Sequence, residues 1–147
     1  KALIEIYTDG SARPNPGPGG FGVVVYKDGE RVKVHSKHFP QTTNNEMELS
    51  AILWAAINYG DKDNPPVVYS DSAYAINCLL TWSDGWCKNG WTRPKGQKIE
   101  NLELIKAFYE NFRGAIDLRK CPGHAGIEGN ELADKLARTL CKKGDIL

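Results

Sequence analysis

The chain has 147 residues, 41% hydrophobic and 25% charged, the composition of an ordinary folded domain. That balance excludes a disordered, collagen-like or disulfide-dominated chain, and no apolar run approaches the roughly 20 residues a membrane-spanning helix requires. Nineteen Lys and Arg against eighteen Asp and Glu leave a net charge of +1, so any affinity for nucleic acid must come from a local patch.

The length predicts a single domain over residues 1–147. Lys1 to Glu5 lacks the apolar stretch of a secretory signal, which favours an intracellular address. Four cysteines, Cys78, Cys87, Cys121 and Cys141, form no C-x-x-C pair and are expected as reduced thiols.

Leu3 to Thr8 reads as a strand, with Ile4 and Ile6 on one face, and Gly10 to Gly20 as a Gly/Pro-rich loop. Phe21 to Lys27 and Arg31 to Phe39 flank Asp28-Gly29, the dipeptide of a type I′ hairpin turn, so these strands are expected to be antiparallel. Lys33, His35 and Lys37 alternate with Val32 and Val34 as on an edge strand, which puts His35 and His38 at the surface.

Thr43 followed by Glu46 fits a capping box, and Leu49, Ile52, Leu53, Ala56 and Ile57 recur at helical spacing up to Gly60. Val67 to Ser70 is a short strand, and Ser72 caps a helix carrying Ile76, Leu79 and Leu80. Trp82 to Lys98 shows no clean period. Asn101 is expected to cap a helix with Ile105, Phe108, Tyr109 and Phe112 inward, and Ala115 to Arg119 forms the last strand. After a loop from Cys121 to Gly129, a final helix carries Ala133, Leu136, Ala137 and Leu140 and ends at Lys142-Lys143-Gly144. The order βββαβααβα implies an α/β fold: one mixed sheet with the later strands parallel to the first and helices on its faces. Asp9 and Asp71, each at the end of an apolar strand, then lie side by side on one edge of that sheet, where open α/β sheets bind ligands.

Glu48 and Asp134 also border the core faces of their helices, so four acids avoid bulk water together. Around them stand Thr8-Asp9-Gly10-Ser11, Asn15 to Gly20, Thr42 to Leu49, Ser70-Asp71-Ser72, and Gly123-His124-Ala125-Gly126 followed by Asn130 to Asp134. In order and spacing these blocks, with the Trp-rich stretch from Trp82 to Trp91, resemble type 1 ribonuclease H over essentially the whole chain. The relatives in question are the bacterial enzyme and the catalytic domain of its eukaryotic counterparts.

The resemblance implies a five-stranded mixed sheet flanked by helices. It also implies an endoribonuclease that hydrolyses the RNA strand of RNA–DNA hybrids, leaving 5′-phosphate and 3′-hydroxyl ends, and that serves to remove RNA primers and R-loops. Such chemistry uses two Mg²⁺ ions with substrate bound, Mn²⁺ being the alternative, because hard cations take carboxylate oxygens and flank both oxygens of an in-line displacement. By the same resemblance Asp9 bridges the ions, Asp71 and Asp134 hold the water-activating one and Glu48 the other. His124 aids proton transfer or product departure.

Substrate contacts are implied likewise. Asn15, Asn44 and Asn45 match positions that reach the RNA strand and minor groove, a task suited to amides that both donate and accept, and Gly10 joins the substrate contacts as a place where backbone can approach backbone. Thr43 and Asn101 match a phosphate pocket for the DNA strand, weakened here because Gln41 stands where some relatives have Arg. Tyr74, Trp82 and Trp86 match an aromatic channel that packs on deoxyribose. Lys88, Arg93, Lys95 and Lys98 outnumber the single acid Asp84 between Thr81 and Lys98, a modest basic protrusion expected to give salt-sensitive affinity. The implied protein is a monomer without membrane contact, cytoplasmic in a bacterium and nuclear or organellar in a eukaryote. Two other readings are a hybrid-binding module without activity, against which the four retained acids speak, and the ribonuclease H portion of a reverse transcriptase.

Overall fold

The structure, a computed structural model, describes residues 1–121 and 127–138. Five strands, β1 (Ile4–Ala12), β2 (Gly17–Lys27), β3 (Glu30–Thr42), β4 (Val67–Ser70) and β5 (Asp117–Lys120), form one mixed sheet in the order β3-β2-β1-β4-β5. The first three run antiparallel, while β4 is parallel to β1 and β5 parallel to β4. The helices are α1 (Asn44–Tyr59), α2 (Ala73–Asn77), α3 (Ser83–Lys88), α4 (Leu102–Phe112) and α5 (Glu128–Arg138). A π-helical turn over Cys78–Trp82 joins α2 to α3, so the helical run expected from Ser72 extends to Lys88. Counting that run once, the expected order holds.

The register assigns the two faces. Ile6 and Thr8 pair with Val25 and Val23 and face α1, whereas Tyr7 and Asp9 pair with Val24 and Gly22 and face α5. Both faces of β2 are covered, so Val23, Val24 and Val25 are all fully buried. The main core joins Ile6, Val68 and the inward valines to Leu49 and Ile52 of α1 and to Ile105 and Phe108 of α4.

Several expectations need correction. The Gly/Pro-rich segment is mostly strand: β1 continues to Ala12, β2 begins at Gly17, and only residues 13–16 turn. The glycines reflect close packing rather than a loop. A Cβ at Gly22 would lie 2.5 Å from the Ala133 carbonyl, so the bare backbone lets α5 settle on β2. The hairpin at Asp28-Gly29 is as expected, both residues having positive φ (50° and 86°).

On α1 the buried face is rotated toward small residues. Ala51 and Ala55 are inaccessible while Ile57 is 59% exposed, because the alanines allow the helix to approach β1. The capping box forms by half: Thr43 Oγ1 accepts from the Glu46 amide, but the Glu46 carboxylate accepts from the Thr42 hydroxyl instead of returning to the helix end. Asn101 sits at the start of α4 with φ 60° and makes no side-chain cap, its amide being turned to the Tyr74 hydroxyl. The last strand starts at Asp117 rather than Ala115, although Ala115 and Ile116 are buried.

Neither His35 nor His38 is a free surface residue. The His35 ring stacks on Trp54 of α1 at 4.4 Å. His38 lies against Gly20 beneath α5, its ring nitrogens buried near the Leu136 and Ala137 backbone without a well-formed hydrogen bond. Cys78, Cys87 and Cys121 are free thiols, while Cys141, Leu140 and residues 142–144 lie outside the described residues.

Candidate active site

The last β1–β4 pair is Tyr7 with Tyr69, so β1 outruns its neighbour by several residues. Asp9 stands on that overhang. It belongs to the sheet face that looks toward α5, yet with no strand beside it on the β4 side its carboxylate is also within reach of Glu48 on α1. Its Oδ1 accepts from the Gly10 amide at 2.8 Å. Asp71 follows β4 immediately and is exposed at the rim.

Gly10 brings the third acid to this gap. A Cβ there would lie 2.3 Å from the Met47 carbonyl carbon and 2.4 Å from the Glu48 amide, so a bare α-carbon is what lets α1 press its second turn against β1. Glu48 is thereby delivered, 8% exposed, to within reach of Asp9 and Asp71, and one carboxylate oxygen from each of the three lies within 4.8 Å of the others. Asp134, on α5, completes the group from the opposite face. Its carboxylate interacts with Asp9 and takes 3.0 Å contacts from both Nε and a terminal nitrogen of Arg138 one turn later.

The charges respond as confined acids should. Burial, then the Asp71 charge and a hydrogen bond with Asp134, push Asp9 up to about 7. Burial, followed by the charges of Asp9 and Asp71, pushes Glu48 up to about 10. Partial burial works to raise Asp134 too, but Arg138 and the hydrogen bond shared with Asp9 hold it below the ordinary carboxylate range. Glu48 Oε1 is buried without any hydrogen-bond partner. An orphaned buried carboxyl oxygen beside two other acids fits a divalent cation: the donors are all hard oxygens, and an added positive charge would favour ionisation of all three and supply the missing partner.

The proposed substrate contacts fall in two zones. At the near zone Asn15 Oδ1 accepts from the Asn44 amide and Asn44 Oδ1 from the Ala12 amide, tying the β1–β2 turn to the start of α1. The side-chain NH₂ groups of both make no hydrogen bond among the described residues. Asn45 is exposed beside them, and the Thr43 hydroxyl is occupied as the helix cap.

At the far zone Tyr74, Trp82 and Trp86 form a chain of rings with 6.2 Å between successive centroids. They line a groove of about 670 Å³ that also includes Asn89, Thr92 and Arg93. Trp91 behaves differently: it packs edge-on against Tyr109 of α4 and anchors the protrusion instead of lining the groove. Asn101 joins the far zone through Tyr74, and no hydrogen bond links it to Thr43 among the described residues. Asp84, the one acid of the protrusion, is paired with Arg113 at 2.8 Å, which leaves the local positive charges uncompensated. His124 lies outside the described residues.

Sequence reasoning missed two cations. Arg138 was readable as the i+4 partner of Asp134, a helical ion-pair spacing. Lys120 was not, since only the β4–β5 register brings its Nζ to the Asp71 main-chain carbonyl.

Comparison with known proteins agrees with this arrangement. The family model described as RNase H matches residues 1–142. A curated Ribonuclease H from Hyphomonas neptunium is 40% identical over 139 residues, covering 94% of this chain and 91% of its own. Among solved structures, LC9-RNase H1, described as a type 1 RNase H with the type 2 active-site motif, superposes with a TM-score of 0.76 at 32% identity over 93% of this chain and 71% of that one. LC11-RNase H1 in complex with an RNA/DNA hybrid gives a TM-score of 0.63 at 28% identity, over 91% and 93%.

Proposed function

Since the chain belongs to the ribonuclease H family, we propose that it is a metal-dependent endonuclease hydrolysing the RNA strand of RNA–DNA hybrids to 5′-phosphate and 3′-hydroxyl ends. The observation that carries this reading is the convergence of Asp9, Glu48 and Asp71 within 4.8 Å, with Asp134 against Asp9 and one Glu48 oxygen left orphaned. Asp9, Glu48, Asp71 and Asp134 would hold two Mg²⁺ ions. When bound, the ions supply an activated water and charge stabilisation at the leaving oxygen.

The protein's own residues do the rest. Asp9, fixed by its bond from Gly10, presents one carboxylate to both sides of the sheet edge. Glu48 stands on a helix packed closely against β1 at Gly10, so its carboxyl group is held at the site rather than in solvent. Arg138 keeps Asp134 ionised and aimed at Asp9. Asn15, Asn44 and Asn45 offer amide donors to the ribose edge of the RNA strand, where 2′-hydroxyls distinguish RNA from DNA. The rings of Tyr74, Trp82 and Trp86 give the DNA strand an apolar bed, and Thr43 and Asn101 contact its phosphates. His124 assists proton transfer or product release. The enzyme acts as a monomer in the cytoplasm, a location in keeping with its bacterial relatives.

The test is cleavage of an end-labelled hybrid with and without Mg²⁺, beside single-stranded RNA, duplex RNA and duplex DNA. RNA cut in the hybrid alone, only with metal, and lost in Asp9→Asn supports the reading. Hybrid binding by the parent protein without cutting overturns it.

A further inference from the structure

Beyond the acids, along the same face of β1, lies a small pocket of about 200 Å³ lined by Ser11, Arg13, His38 and Arg138, with Pro18 and Ala137 at its edge. Ser11 is two residues past Asp9, so both side chains point to the α5 side of the sheet. Its place in the chain is therefore about 7 Å beyond Asp9 at the usual strand rise. Measured along a duplex axis, a strand rises that far in about two nucleotides at ~3.4 Å each.

The two arginines of this pocket are not equivalent. Arg138 is committed to Asp134. The Arg13 main-chain amide is used, donating to the Pro18 carbonyl at 2.9 Å, but its guanidinium makes no hydrogen bond or ion pair among the described residues. It is still close enough to act electrostatically on Asp134. His38 forms part of the lining, and its burial lowers its proton affinity, so it adds little charge there. The pocket is thus a phosphate-sized recess with one uncommitted fork of donors, beside a centre whose own excess charge is negative.

We infer that this pocket receives a backbone phosphate of the RNA strand one or two nucleotides from the scissile linkage, with Arg13 as the residue that grips it. This rests on the proposed hybrid-cleaving function. The strand assignment follows from position, because the pocket continues β1 beyond Asp9, whereas the aromatic groove is built from the separate helical protrusion. A carboxylate cluster repels the backbone it must approach. A guanidinium just outside the cluster offsets that repulsion without competing for the cations, and its planar fork matches a phosphate.

Arg13→Gln and Arg13→Lys test the idea. Hybrid affinity is measured in an Asp9→Asn background without divalent metal, over a series of salt concentrations, and kcat and KM are measured with Asp9 intact. Arg13→Gln is expected to keep the parent melting temperature, to weaken binding about 3- to 10-fold, and to lower the salt slope by about one. KM rises accordingly with kcat within about twofold, the pattern of lost uniform binding. Arg13→Lys restores the slope. In addition, single uncharged methylphosphonates are walked along the RNA strand, each against the same 2′-O-methyl nucleotide with its phosphate intact. One linkage near the cleavage point should weaken the parent and add nothing to Arg13→Gln.

Unchanged affinity and slope in Arg13→Gln overturn the inference. So does a loss that every methylphosphonate deepens equally, which would mean diffuse attraction without a site. If the parent cleaves hybrids and Arg13→Gln is indistinguishable from it, only this inference falls. If the parent binds hybrids and does not cleave them, the enzymatic reading falls while the methylphosphonate walk still decides whether Arg13 holds a phosphate.

Discussion

Asp9 and Glu48 are only 6% and 8% exposed, and burial beside other acids raises the proton affinity of both, whereas Trp82 is 43% exposed and meets Tyr74 and Trp86 without electrostatic conflict. The first region is unfavourable as it stands and depends on rigid packing to exist. Gly10 against Met47, and α5 against Gly22, supply that rigidity. The second region asks little of the fold. Its rings lie on a helical protrusion held by a few contacts, among them Trp91 on Tyr109 and Asp84 on Arg113. Chemistry is thus placed where the scaffold can hold opposed charges together, and affinity where surface can be exposed without cost to the acids. Changes in the first region should alter turnover and stability, and changes in the second should alter binding.

The sharpest way to break that division is Asp9→Asn. Single-turnover cleavage of a hybrid is expected to fall by roughly 10³-fold or more, since members of one catalytic group are not individually dispensable. Hybrid affinity measured without divalent metal should stay within a few-fold of the parent. A variant that loses both together would show that the acids also organise the binding surface.

Gly10→Ala ranks next. Its methyl would sit 2.3 Å from the Met47 carbonyl carbon, and neither backbone can yield as a side chain could. Relief requires β1 and α1 to separate, which carries Glu48 away from Asp9. Overpacking of this kind costs about 1–3 kcal/mol, read as a lowered denaturation midpoint, and cleavage should drop by more than the stability loss explains. Activity retained at parental levels would mean that the close approach is not what positions Glu48.

How much of this was legible in the sequence differs between the two regions. The Asp28-Gly29 hairpin, the Val67–Ser70 strand and the Ser72 cap were readable because local chemistry decides them. The mixed sheet followed from the order of elements. The segment from Gly10 to Gly20 was misread because glycine signals both a loop and a close approach, and only the position of α1 and α5 separates the two. His38 was misread for a related reason: an alternating edge strand predicts exposure until a helix from far along the chain covers one face. In the site, the grouping of acids came from the resemblance, from Asp9 and Asp71 read at strand ends, and from Glu48 and Asp134 beside the core faces of their helices, although β1 in fact continues past Asp9 to Ala12. That Asp9 serves both faces came from the continuation of β1 to Ala12, past its last pairing with β4 at Tyr7, a matter of register that no local pattern encodes.

The opposed charges also predict how stability depends on pH. Asp9 and Glu48 have ordinary values of 3.8 and 4.5, and in the fold they are raised to about 7 and about 10. A raised acid favours the folded state while protonated, so this contribution is complete below about 4 and is lost as pH climbs through the folded values. Metal-free protein should therefore be less stable at pH 8 than its Glu48→Gln variant, by on the order of 2 kcal/mol, with the gap closing near pH 4. Adding Mg²⁺ at pH 8 should raise the melting temperature of the parent more than that of the variant. A gap that persists unchanged at pH 4 would assign the difference to packing and not to charge.

The smallest expected effects separate two tryptophans that composition treats alike. Trp82 lines the groove and is 43% exposed, so Trp82→Ala removes a face for the nucleic acid and little internal packing. Stacking against an aromatic ring is worth about 1–3 kcal/mol per contact. KM should rise about fivefold at the low end of that range, with kcat and melting temperature nearly unchanged. Trp91 sits on Tyr109 with its ring turned edge-on at 5.5 Å, and its backbone amide donates to the Trp86 carbonyl at 2.7 Å. Trp91→Ala should therefore lower the melting temperature first and weaken hybrid binding only through the loosened protrusion. The two responses can be told apart by adding hybrid at saturation: the turnover of Trp82→Ala recovers, because its groove is still in place and only its affinity is reduced. If both variants show the same loss of stability, the protrusion is a single packed unit, and the boundary between anchor and binding surface must be drawn elsewhere.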